Sequence, residues 1–215
     1  MNKTENNVER AYKYIRDKIF SGEMKPGLSL TEKWLAEHLN MSRTPIREAM
    51  VRLQYEELLT VIRNRAIVTT ISPVDIQEVF ELRLLLEPRA AFLCVDRVEI
   101  EKIMEIRSFT EDWLEKRNQT YSPNIHNLHR VIIESTKNKR WIRVSNYLQN
   151  QIIRMLNAST SIPDRITRSL EEHLRIIDAI LAKDRSMAQT HMLNHIESNM
   201  RDMLDVANFH IFFKE

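Results

Sequence analysis

The chain has 215 residues, 43% of them apolar, with two glycines and one cysteine. That is enough apolar chain for one large core or two modest ones, while two glycines nearly exclude glycine-rich phosphate loops and one cysteine excludes an intrachain disulfide or cysteine zinc site. The formal net charge of +2 does not announce nucleic-acid binding, but residues 1–72 hold 12 Lys/Arg against 9 Asp/Glu and residues 73–215 hold 20 against 21.

Met1 to Glu9 is polar, without the pattern of a signal peptide, and the apolar runs are shorter than the roughly 18–20 residues that span a bilayer. The expected compartment is the reducing cytoplasm, with no membrane partner. Few glycines among many Leu, Ile, Glu, Arg and Met predict a mainly α-helical protein.

The first helix is expected over about Val8–Phe20, with Ala11, Ile15, Ile19 and Phe20 as its apolar stripe and Ser21-Gly22 as its stop. Pro26-Gly27 makes a turn and Leu28-Ser29-Leu30 a short extended piece. Thr31 caps a second helix, Glu32–Leu39, with Trp34, Leu35 and Leu39 inward. Asn40 tolerates the left-handed turn that follows.

Ser42–Leu59 reads as the third helix, with Ile46, Ala49, Met50, Leu53 and Leu58 buried and the Ser42 hydroxyl as its cap. Arg43 and Arg47, four apart, project from one face near its start, where guanidinium forks suit phosphate or the guanine edge. Ser42 joins them as a candidate DNA contact, and Thr44 either contacts a base or helps cap the helix. Arg52 is a further DNA contact or pairs with Glu48 or Glu56. Two helices on a tight turn make a helix-turn-helix. Leu59–Ile62 and Ile67–Ile71 then read as strands of a β-hairpin wing with Arg63, Asn64 and Arg65 at its tip, able to reach phosphate or the minor groove.

Pro73 closes the wing, and Ser72 or Asp75 can cap the next helix. From there the periods are helical, with helices at about 75–95, 97–117, 123–136, 138–160, 163–182 and 184–208. The expected architecture is a winged helix-turn-helix domain over 1–72, of three helices plus a hairpin wing, followed by an all-α six-helix bundle over 73–215. Cys94 reads as a small buried hydrophobe, Trp34, Trp113 and Trp141 as core or interface residues, and Met155, Met187, Met192, Met200 and Met203 as core fillers. The apolar end Phe209-His210-Ile211-Phe212-Phe213 is expected to pack on the bundle or on a partner subunit.

Gly22, Pro26-Gly27, Leu30, Leu35-Ala36, Ser42-Arg43-Thr44-Pro45-Ile46-Arg47-Glu48-Ala49 and Leu53 resemble the winged helix-turn-helix of the GntR superfamily of bacterial transcription regulators. Arg43 and Arg47 match that family's recognition-helix arginines. The family's glycines near Glu57 and Ala66 are absent here.

Glu81-Leu82-Arg83-Leu84-Leu85-Leu86-Glu87-Pro88-Arg89-Ala90-Ala91 resembles the first helix of the FCD effector domain of the FadR branch. So do Leu128-His129 with Asn138, Glu172-His173, Ile177-Asp178-Ala179-Ile180, and Asp184 with His195. The resemblance implies a divalent metal (Zn, Ni, Fe or Mn) held by His129, His173 and His195, with Ile125 where the family has an aspartate. His126 and His191 are weaker replacement ligands. It also implies a small carboxylate effector, for which Arg83 and Arg154 are the candidate partners, Arg83 having Glu87 as its alternative. Asn138 is expected to cap the helix that follows it.

The function implied is a ligand-responsive regulator binding double-stranded operator DNA as a homodimer, repression being the commoner mode in the family. Two other readings compete. One is a DNA-binding regulator whose bundle is a metal-free pocket or senses nothing. The other is a helical metal-dependent enzyme on the same histidines, for which Glu134 and Glu172 are available carboxylates but no general base is evident and the winged module goes unused.

Overall fold

The computed structural model describes residues 6–116, 127–158 and 165–212, the side chains of 154, 156–158 and 208–212 excepted. The chain divides into two compact units, the first made of residues 1–72 with 153–158 and the second of residues 73–152 with 159–215.

In the first unit α1 (Asn7–Phe20) is capped by the Asn6 side chain, which accepts from the Val8 N–H at 3.1 Å, and ends at Gly22, whose φ of +76° is the left-handed conformation glycine adopts freely. Ala11, Tyr12, Ile15 and Ile19 recur at helical spacing and are buried against Leu35, Ile46, Ala49, Leu53 and Leu58. Each large apolar side chain so buried contributes about 1.5–3 kcal/mol. Thr31 caps α2 (Glu32–Leu39) by accepting from the Trp34 N–H at 3.2 Å, and Asn40 takes the left-handed turn at φ 51°.

Helix α3 (Arg43–Tyr55) is shorter than its sequence pattern suggests. It stops because Glu57 turns left-handed at φ 57°, which breaks the helical path before Leu58. Three strands follow in a sheet ordered β1-β3-β2: β1 (Ser29–Leu30), β2 (Leu59–Ile62) and β3 (Arg65–Val68), all antiparallel. The extended piece at Ser29–Leu30 thus joins the wing, pairing Ser29 with Ile67. Ile62 pairs with Arg65, so the turn is only Arg63-Asn64, both left-handed at φ 47° and 62°. That is the two-residue hairpin turn whose twist suits flanking strands. The second strand therefore begins at Arg65, earlier than the β-branched run alone indicates.

One inward residue is corrected: Trp34 is 46% exposed, its ring stacked on His38. An eight-residue helix has one narrow buried stripe, and Leu35 and Ala36 occupy it.

In the second unit the described elements are all helical: α4 (Pro73–Cys94), α5 (Ile100–Glu115), α6 (Asn127–Ser135), α7 (Lys139–Ala158), α8 (Arg165–Leu181) and α9 (Arg185–Phe212). Pro73 is the first residue of α4, where its missing N–H costs nothing. Asn138 caps α7, accepting from the Arg140 and Trp141 N–H groups at 3.1 and 3.2 Å, and Asp184 accepts from Met187 N–H at 2.9 Å at the start of α9. Helix α4 packs on α9 and α6, and α8 packs on α9 and α5. Phe80, Ala90, Ala91 and Cys94 of α4 are fully buried. Met155, Met192 and Met203 are buried, whereas Met187 is 42% exposed. The side chains of Phe209 to Phe213 lie outside the described residues.

Candidate DNA interface and metal centre

The first unit presents its sequence-predicted contacts on two elements. Ser42, Arg43, Thr44 and Arg47 are exposed at the start of α3, and Arg63, Asn64 and Arg65 are exposed at the wing turn. A groove of about 370 Å³ is shared by part of the two sets, with Arg47 of α3 and Asn64 and Arg65 of the wing in its lining beside Glu32, Val51 and Val61.

Ser42 occupies the N-cap position of α3, but its hydroxyl makes no capping bond. The usual target is the N–H three residues on, and that residue is Pro45, which has none. The hydroxyl stays exposed. Arg47 places its Nε and Nη2 each 2.8 Å from the two oxygens of Glu32, a fork-to-fork pair that holds the Glu32 carboxyl below its usual range. Sequence reading missed Glu32, because its partner lies on the next helix.

Arg52 is engaged elsewhere. Its guanidinium lies 3.5 Å over the Tyr12 ring and bonds Glu9 at 2.8 Å and Glu56 at 3.2 Å, tying α3 to α1. Of the alternatives in the sequence, pairing with Glu56 is the one realised.

In the second unit three helices converge. His129 of α6, His173 of α8 and His195 of α9 are buried, and their Nε2 atoms form a nearly equilateral triangle with sides of 3.2, 3.1 and 3.2 Å. Nitrogens at that spacing share a point about 2 Å from each, just off their plane, which is the distance of a bound transition metal.

The outer nitrogens are fixed by carboxylates. His129 Nδ1 lies 2.6 Å from Glu87 Oε2, and His195 Nδ1 lies 2.7 Å from Glu172 Oε2. An ionised carboxylate only accepts, so both Nδ1 atoms donate and both Nε2 atoms carry lone pairs. Lone pairs converging in a buried space need a proton or a cation between them, and three imidazole nitrogens so placed are the donors a transition metal takes. The chemistry of the donor set therefore fits a divalent metal.

Arg83 is buried and spends its fork on Glu87, Nε at 2.6 Å and Nη2 at 3.3 Å. Burial alone would raise the Glu87 pKa, but Arg83 and then His129 hold it far below the usual carboxylate range. Burial, with His129 and Arg83 adding, pushes the His195 pKa well down, so this imidazole stays neutral, the ligating form. For Glu172, half-buried, burial raises the pKa. Arg83 thus pairs with Glu87, the alternative the sequence offered. Ile125, His126 and the Arg154 side chain lie outside the described residues, and His191 is not in the histidine cluster. Glu87 and Glu172 as orienters, and Asn199, whose Nδ2 is 2.9 Å from His195 Nε2, were not read from sequence. Only the spacing of Glu87 from Arg83 and the adjacency of Glu172 to His173 hinted at the first two.

Comparison with known proteins agrees with both halves. Residues 7–68 match the family of bacterial regulatory proteins called gntR, and residues 78–198 match the FCD domain. The HTH-type transcriptional regulator YdhC of Bacillus subtilis is 28% identical over 204 residues, 91% of this chain and 90% of that protein. The gluconate operon transcriptional repressor of the same organism is 26% identical, covering 95% of this chain and 86% of its own length. The solved structure of Escherichia coli McbR/YncC has the same fold, with TM-score 0.77 and 21% identity over 95% of this chain and 99% of that one.

Proposed function

Since the chain belongs to the GntR family of bacterial regulators, with an FCD domain behind its winged module, we propose that it is a homodimeric repressor that answers a small carboxylate, with a divalent metal at His129, His173 and His195 in the receiving site. It is a DNA-binding transcription regulator and not an enzyme. No described helix is long and apolar enough to cross a membrane, and we take the cytoplasm as its compartment.

Operator contact falls to Ser42, Arg43, Thr44 and Arg47 from α3 and to Arg63, Asn64 and Arg65 from the wing. Arg52 is left out, because its guanidinium lies over Tyr12 and ties α3 to α1 through Glu9, whereas the exposed Arg47 exchanges Glu32 for DNA. One recognition helix covers a few base pairs, so a two-fold dimer on a palindrome is the natural arrangement. Repression is carried over from the gluconate operon relative.

The observation that carries the sensing half is the triangle of Nε2 atoms backed by Glu87 and Glu172. A metal there supplies a Lewis-acidic centre for an anionic ligand. The protein's part is to keep two imidazoles in the ligating tautomer and the site dry. The test is metal analysis of purified protein before and after chelation, together with operator gel shifts across a panel of small carboxylates. Metal at one per chain, and release of operator by one carboxylate, is the expected result. Operator affinity indifferent to chelation and to every carboxylate would overturn the sensing half.

A further inference from the structure

Beside the histidine cluster sits a second cation whose position the metal reading leaves unexplained. The Arg165 side chain is only 9% exposed. Its Nη2 donates to Asn199 Oδ1 at 3.2 Å, and its buried Nε has no hydrogen-bond partner. The nearest carboxylate, Asp202, has an oxygen 3.6 Å from Nε, beyond bonding reach, and both Asp202 oxygens accept from Arg168 Nη2, at 3.1 and 3.0 Å. Arg83, by contrast, has both Nε and Nη2 on the Glu87 carboxylate.

The Nε and Nη2 edge of a guanidinium is the fork that fits a planar carboxylate. In Arg165 that edge holds one bond, to a neutral amide. A buried cation in this state is costly unless an anion completes it. Burial lowers the Arg165 pKa to about 10, so it is still charged at neutral pH.

Asn199 fills the place that an exchanging carboxylate would take. Its amide reaches from Arg165 Nη2, at 3.2 Å from Oδ1, to His195 Nε2, at 2.9 Å from Nδ2. A carboxylate has the same planar shape and the same span as that amide. We infer that Arg165 is the anion anchor of this site, gripping an effector's carboxylate on one side while the histidine cluster receives it on the other. The inference rests on the metal reading above. It also suits the charge count, since Ile125 stands where the resemblance leads one to expect an acidic ligand.

The test uses the full chain loaded with Co²⁺, whose absorption bands respond to a new ligand. Acetate serves as the carboxylate probe and imidazole as a neutral one. Wild-type protein is expected to bind both. Arg165→Gln should weaken acetate by about tenfold or more, the worth of a charge-assisted fork, and leave cobalt and imidazole affinities as in wild type. A loss of bundle packing would instead move all three. If Arg165→Gln fails to fold by circular dichroism, Arg165→Lys, which keeps the charge without the fork, carries the same comparison. Acetate binding equally to the variant and to wild type, with cobalt in place, overturns the anchor and leaves the metal reading standing. Wild-type protein that takes up no cobalt overturns the metal reading and the anchor with it.

Discussion

Glu87→Gln puts the metal reading under the most direct strain. Glu87 lends Oε1 to Arg83 Nε at 2.6 Å and Oε2 to His129 Nδ1 at 2.6 Å. Glutamine has one acceptor for these two demands. If its oxygen stays on Arg83, its NH₂ faces His129 Nδ1, and the imidazole must move its proton to Nε2, closing that lone pair to metal. Loss of such an orienting carboxylate lowers metal affinity by about 10–100-fold, or roughly 1.4–2.8 kcal/mol. The same change leaves the buried Arg83 without its anion, so the metal-free protein should also lose stability, by about 3–5 kcal/mol. The double variant Arg83→Gln/Glu87→Gln removes that charge and should recover much of the stability while metal binding stays weak. The assay is zinc competition against a chromophoric chelator, with thermal unfolding alongside. Equal zinc affinity in wild type and Glu87→Gln would refute the proposed tautomer control.

Arg47→Ala should weaken specific operator binding by roughly tenfold or more if the guanidinium reads a base, as judged by gel-shift titration against operator and scrambled duplex. An unchanged ratio between the two duplexes removes Arg47 from the reading surface. Glu57→Gly should stabilise the first unit, because an L-residue at φ 57° carries about 1 kcal/mol of strain that glycine lacks. The gain reads as a melting midpoint a few degrees higher, and a lower midpoint would show that Glu57 contributes more through its contacts than it loses in strain.

The helices were legible because burial imposes a period on them. Ala11, Ile15 and Ile19, or Ile46, Ala49, Met50 and Leu53, announce a face without any partner being known. Caps were legible for the same local reason at Thr31, Asn40 and Asn138. The wing was blurred where non-glycine residues adopt the left-handed region, at Glu57 and Arg63 above all, since their side chains give no sign of it. The three histidines were legible only through the family resemblance, because nothing in periodicity makes one buried histidine differ from another. Their supporting groups were hidden further. Glu87 and His129 are 42 residues apart, Arg165 and Asn199 are 34 apart, and each pair meets only after two helices pack.

A sensor needs an effector that binds one arrangement of the protein better than another, and the coupling required is small. Typical values are about 1–3 kcal/mol, and one charge-assisted bond to a buried group contributes about 1.5–3 kcal/mol. A single guanidinium fork at Arg165 is therefore enough, provided it closes in one state and not the other. This has a consequence that contact energies alone do not impose. Linkage is reciprocal, so operator DNA must weaken carboxylate binding by the same factor by which the carboxylate weakens operator binding. With cobalt-loaded protein, acetate titrations with and without saturating operator give one factor and gel shifts with and without acetate give the other. Two equal factors above one are expected for wild type, and both should fall toward one in Arg165→Gln. A carboxylate that binds wild type tightly with a factor of one in both directions would occupy the site without transmitting anything, and the sensing role of the histidine and Arg165 cluster would be refuted.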